Sequence, residues 1–179
     1  LDLNRRYRLG MVEAIWGEHK TCDQISAILS QLQASGELAF VTRVGQQKAE
    51  KLLERFKSAV FHKESCCLTL GDPPNEISSL GEVVILSGGT SDLSVASEAE
   101  LALKWHGVKT KLLLDVGVAG LHRLLSELKN LEKAKVLIAC AGLEGALPTV
   151  LAGLASQPVI GVPISVGYGV SAKGRTALE

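Results

Sequence analysis

Aromatic side chains are scarce in this sequence, at 4% of 179 residues, which argues against a platform that stacks RNA bases. An excess of either charge is also absent. Nineteen Lys and Arg residues balance nineteen Asp and Glu (19 and 19), so nothing draws the chain in bulk to nucleic acid or to an anionic membrane. No partner of either kind is expected, and any anion must be bound locally. The four cysteines, Cys22, Cys66, Cys67 and Cys140, form no Cys-x-x-Cys pair and have no histidine cluster nearby. Neither a zinc site nor a disulfide framework is indicated. No apolar run is long enough to span a bilayer. The first residue is Leu1, not Met, so the sequence reads as a fragment or a processed form. A cytoplasmic location is expected, with organellar targeting left open.

What is present is glycine, 18 residues of it, in a chain that is 46% hydrophobic. That combination fits an α/β protein with many tight turns. Leu1 to Gly17 has no clean period, and Arg5, Arg6 and Arg8 around Tyr7 read as a solvated face. Thr21 with Gln24 makes a capping box ahead of Ile25, Ile28, Leu29 and Leu32, and Gly36 closes that helix. Leu38 to Val44 reads as a strand. Gly45 precedes a helix with Ala49, Leu52, Leu53 and Phe56 on one face, and Val60 to Leu70 suits one further short strand. Residues 1–70 are therefore expected to form a small α/β appendage. The stretch GDPPNEISSLG, residues 71–81, is the expected linker, because adjacent prolines stop regular structure.

From residue 82 to 179 the pattern alternates. Strands are predicted near Val83 to Leu86, Val108 to Leu114, Val136 to Cys140 and Val159 to Val162. Helices are predicted near Ser94 to Trp105, Leu121 to Leu128 and Ala146 to Leu154. This order predicts a doubly wound parallel sheet of the flavodoxin type, whose ligands bind beyond the carboxyl ends of the strands. The loops there read SGGTSD (87–92), DVGVAGLHRLL (115–125), CAGLEGALP (140–148) and PISVGYG (163–169). In the first, Gly88 and Gly89 let the backbone turn and approach a ligand. Thr90, Ser91 and Asp92 set polar groups beside the free N–H groups of the next helix, where a phosphate or carboxylate can sit. The plain alternative is a tight turn with an Asp or Ser cap.

Taken together, SGGTSD, DVGVAGLHR, AGLEGALP and PVIGVP closely resemble the nickel-pincer cofactor biosynthesis carboxylases, relatives of the aminoimidazole ribonucleotide carboxylases and mutases. In the front part WGEHKT (16–21) and TRV (42–44) resemble that family's appendage, so the likeness covers almost the whole chain. It implies carboxylation of the pyridine ring of nicotinic acid adenine dinucleotide by carbon dioxide or bicarbonate, with hydrolysis of the phosphoanhydride and release of AMP. It implies no tightly bound cofactor, a divalent metal as one candidate aid to the hydrolysis, and a homo-octamer. A cysteine nucleophile in the family lies beyond the segment resembling SAKGRTALE, so the chain ending at Glu179 is expected to lack it.

Residue by residue, the resemblance gives phosphate binding to Gly88, Gly89, Thr90, Ser91 and Asp92. His122 becomes a candidate proton carrier, with Arg123 as a phosphate or carboxylate clamp. Glu144 stands in the third loop where it can orient a water or handle a proton, and Ala146 occupies the place of a histidine in the purine enzymes. Asp92 and Asp115 join Glu144 and His122 as candidate catalytic groups. Gly142, Pro148, Pro163, Ser165, Gly167 and Tyr168 complete the candidate substrate contacts, Tyr168 by stacking on a heteroaromatic ring. Plainer roles stand beside these: Glu144 and Asp115 as helix caps, His122 as a capping histidine, Cys140 as a small buried hydrophobe. Two other functions stay open, an aminoimidazole ribonucleotide carboxylase or mutase of purine synthesis, and a nucleotide-binding fold without catalysis.

Overall fold

The apolar runs fold into two sheets in the computed structural model, which describes residues 2–179. One compact unit runs to Asn75 and includes Lys104–Gly107; the other holds Glu76–Leu103 and Val108–Glu179.

In the first unit the order is α1 (Arg5–Leu9), β1 (Ala14–Trp16), α2 (Cys22–Ala34), β2 (Ala39–Thr42), α3 (Gln46–Arg55), β3 (Ala59–His62) and β4 (Cys67–Leu70). The Thr21 capping box is formed. Gln24 N–H donates to Thr21 Oγ1 at 3.1 Å and Thr21 N–H to Gln24 Oε1 at 2.9 Å, satisfying two donors that the helix itself cannot. The sheet order is β1-β2-β4-β3, with β1 parallel to β2 and the other pairs antiparallel. Ile25, Leu29, Val41, Leu52 and Leu68 fill its core. Two details differ from the sequence reading. Residues 60–70 form a hairpin and not one strand, because the polar stretch Lys63 to Cys66 turns the chain, with Cys66 at φ 50°. Leu1 to Gly17 holds a five-residue helix and a three-residue strand, both too short to show a period.

The second unit runs β5 (Glu82–Ser87), α4 (Leu93–Lys104, all but its last residue), β6 (Lys109–Leu113), α5 (Leu121–Leu131), β7 (Ala134–Ala141), α6 (Ala146–Leu154), β8 (Val159–Pro163) and α7 (Arg175–Leu178). Its four strands are all parallel, in the order β6-β5-β7-β8. Alternation along β5 sends Val84 and Leu86 to the face covered by Leu124 and Leu131 of α5 and Leu147 and Leu151 of α6. Ile85 points the other way, with Ala96 and Val95 of α4 and Cys140. Helices on both faces explain why β5 is an unbroken apolar run. The sheet is the doubly wound one predicted, and the chain reverses direction across it between β5 and β7. At that switch point the loops after neighbouring strands diverge and leave a crevice.

Candidate active site at the carboxyl edge of the second sheet

The crevice is built from backbone before any reactive group enters it. Beyond β5, Gly88 N–H donates to Cys140 O at 3.1 Å and Val116 N–H to Ser87 O at 3.0 Å; Leu143 N–H reaches Val166 O at 3.1 Å. These bonds tie the four loops together at the strand ends. Glycine is required where they cross: a Cβ on Gly117 would overlap the Gly88 carbonyl oxygen, and one on Gly142 the Val166 oxygen. Leu143 and Asp115 are held in the left-handed region at φ 54° and 57°. For non-glycine residues this costs about 1–3 kcal/mol and persists only where the surroundings enforce it.

Within this frame lies a cavity of about 350 Å³, the size of an ordinary small-molecule site. Its lining includes Gly88, Gly89, Ser91, Asp92, Gly142, Glu144, Gly167 and Tyr168, which are eight of the residues singled out in the sequence. Asp92 is 4% exposed, and its Oδ2 accepts Gly89 N–H at 2.9 Å. The carboxylate therefore shapes the glycine turn from below. Glu144 is exposed in the third loop, and Tyr168, 80% exposed, stands at the rim. Ser87 Oγ is fully buried at the end of β5 with no hydrogen-bond partner among the described residues. Beside it, burial and then the Asp92 charge push the Cys140 thiol up to about 11, so it is a neutral, inert group.

Several sequence candidates fall outside this lining: Thr90, Asp115, His122, Arg123, Pro148, Pro163 and Ser165. Arg123 folds back on its own loop, donating from Nε to Asp115 O at 2.6 Å and from Nη2 to Asp115 Oδ1 at 3.2 Å. It braces the turn that carries Gly117. His122 is exposed at the start of α5. Pro148 and Pro163 line a smaller hollow of about 210 Å³ with Ala177 and Leu178. The sequence places the loops that carry Gly117, Val118, Leu143 and Val166 at this edge without singling these residues out; the only local signal for any of them is Gly117 inside DVGVAG. Among the described residues no group of three or more His, Cys, Asp or Glu side chains is placed to hold a metal ion. No helix among them is long and apolar enough to cross a membrane.

The AIR carboxylase family matches residues 82–178, more than half of the chain and the whole of this crevice. This chain belongs to the AIR carboxylase family. The LarB/PurE-like N-terminal domain matches residues 1–72, so the chain combines the two and is a LarB-like member of that family, with carboxylase-type function supported by both halves. An uncharacterized protein of Methanocaldococcus jannaschii is 36% identical over 179 residues, covering 95% of this chain and 69% of that protein. The N5-carboxyaminoimidazole ribonucleotide mutase of the same organism is 42% identical over 85 residues, covering 46% of this chain and 52% of the mutase.

Proposed function

We propose that this AIR carboxylase family member binds nicotinic acid adenine dinucleotide in the crevice, and that its reaction carboxylates the pyridine ring and hydrolyses the phosphoanhydride to release AMP. The observation that carries this reading is the third loop. Glu144 lines the cavity beside Ala146, and none of the lining residues is a histidine. A carboxylate can take a proton or orient a water, whereas the purine chemistry is expected to need an imidazole at that place. The remaining parts have roles that follow from their chemistry. The Gly88–Gly89 turn, open to close approach, receives a phosphate through backbone N–H groups. Asp92 holds that turn through Gly89 and is a positioning residue. Tyr168 at the rim offers a flat face to the ring. Arg123 and Asp115 act on the site only through the loop they brace.

A second reading, carboxylation or mutation of an aminoimidazole ribonucleotide, is favoured by the 42% identity to the ribonucleotide mutase. The two separate in one assay of the full gene product with labelled bicarbonate, given either the nicotinate dinucleotide or the aminoimidazole ribonucleotide. The expected result is label in the pyridine product alone, reduced roughly a hundredfold or more by Glu144→Gln with the melting temperature unchanged. Label only in the ribonucleotide product would transfer the assignment to the purine reaction.

A further inference from the structure

The first unit also has parallel strands with adjoining carboxyl ends, β1 and β2. The loops that follow them meet, since Gly17 N–H donates to Thr42 O at 2.9 Å. Lys48 of α3 fixes the first loop by donating from Nζ to Gly17 O (2.7 Å), Lys20 O (2.8 Å) and Glu18 O (3.1 Å). On this rigid turn Glu18 Oε2 accepts the Trp16 indole N–H at 3.1 Å and an Arg43 Nη1–H at 3.3 Å. The His19 ring meets the Trp16 ring edge-on, with centroids 4.7 Å apart. Arg43 first, then Trp16, hold the Glu18 carboxyl below its usual range, so the hub stays charged.

What results is a large aromatic side chain, 52% exposed, pinned in one orientation beside a guanidinium and an imidazole. A mobile surface tryptophan would lose conformational entropy on stacking; this one has already lost it. Arg43 gives one nitrogen to Glu18 while most of its side chain stays exposed, leaving N–H donors of the fork for an anion. Next to it α3 begins at Gly45 without a side-chain cap.

We propose that Trp16, His19 and Arg43 form a second binding site, for a nucleoside phosphate whose base stacks on the Trp16 indole and whose phosphate pairs with Arg43. The site lies in a different unit from the crevice and does not depend on the reaction proposed for it. Tryptophan emission reports on it directly, because the cavity has no tryptophan and the other one, Trp105, is 6% exposed. Titration of the intact chain with AMP should quench the emission saturably, and the same concentrations of inorganic phosphate should not. Trp16→Leu should remove the quenching, and Arg43→Gln should weaken AMP at least about fivefold, the loss of one charge-assisted hydrogen bond. Glu144→Gln should leave it intact. The proposal is overturned if AMP produces no saturable quenching, if Arg43→Gln does not alter it, or if Glu144→Gln abolishes it, since the nucleotide would then be acting from the crevice.

Discussion

Cys140 and Cys66 occupy opposite extremes of thiol environment. Cys140 is fully buried at the end of β7, and its thiol is pushed up to about 11, mainly by burial and secondarily by Asp92. Cys66 is exposed in the hairpin turn. Nucleophilicity resides in the thiolate, so at pH 8 Cys140 remains protonated as well as shielded. Iodoacetamide at pH 8 should alkylate Cys66 and leave Cys140 unmodified in the folded protein, as peptide mass spectrometry would show. Early labelling of Cys140 would refute the buried, neutral assignment. The sign of the linked stability follows: with the folded value above the unfolded one, the contribution is complete at neutral pH and is lost as pH rises from the ordinary thiol range towards 11.

At the scale of elements, the crevice depends on loops that touch through glycine. Gly117→Ala places a methyl group on the Gly88 carbonyl oxygen, backbone against backbone, and should cost about 1–3 kcal/mol. Gly153, in the last turn of α6, has nothing within 4 Å of a Cβ. Gly153→Ala should therefore stabilise, by up to about 1 kcal/mol. Differential scanning calorimetry should show the two melting temperatures moving in opposite directions; a common direction would mean that the loop contact does not constrain the fold. The same contrast explains what the sequence made legible. The α2 cap and the alternation from β5 to β8 are written in residues a few positions apart. Gly88 and Gly117 are 29 positions apart, and only the parallel register of β5 with its neighbours brings them together. Arg123 shows the same limit: a His-Arg pair at a helix start reads as a clamp, yet a side chain that can fold back on Asp115 does so, and spacing does not reveal that choice. The β3–β4 turn was missed because its residues carry no glycine or proline to mark it.

Across the whole molecule, two sheets each present the carboxyl ends of parallel strands, and polar and aromatic groups gather at both. In the second sheet the crevice stands at the switch point, bounded by the loops after β5, β6, β7 and β8, and the AIR carboxylase match spans all four. Eight of the candidate site residues line it, including one buried and one exposed carboxylate. That this crevice is the dinucleotide site is the central claim. Its most direct test is a crystal structure of the intact chain grown with nicotinic acid adenine dinucleotide. The account predicts density in the crevice with a phosphate over the Gly88–Gly89 turn, Glu144 facing the pyridine ring and Tyr168 against it. A dinucleotide bound only at the Trp16 cluster, with the crevice empty at saturating concentration, would contradict it.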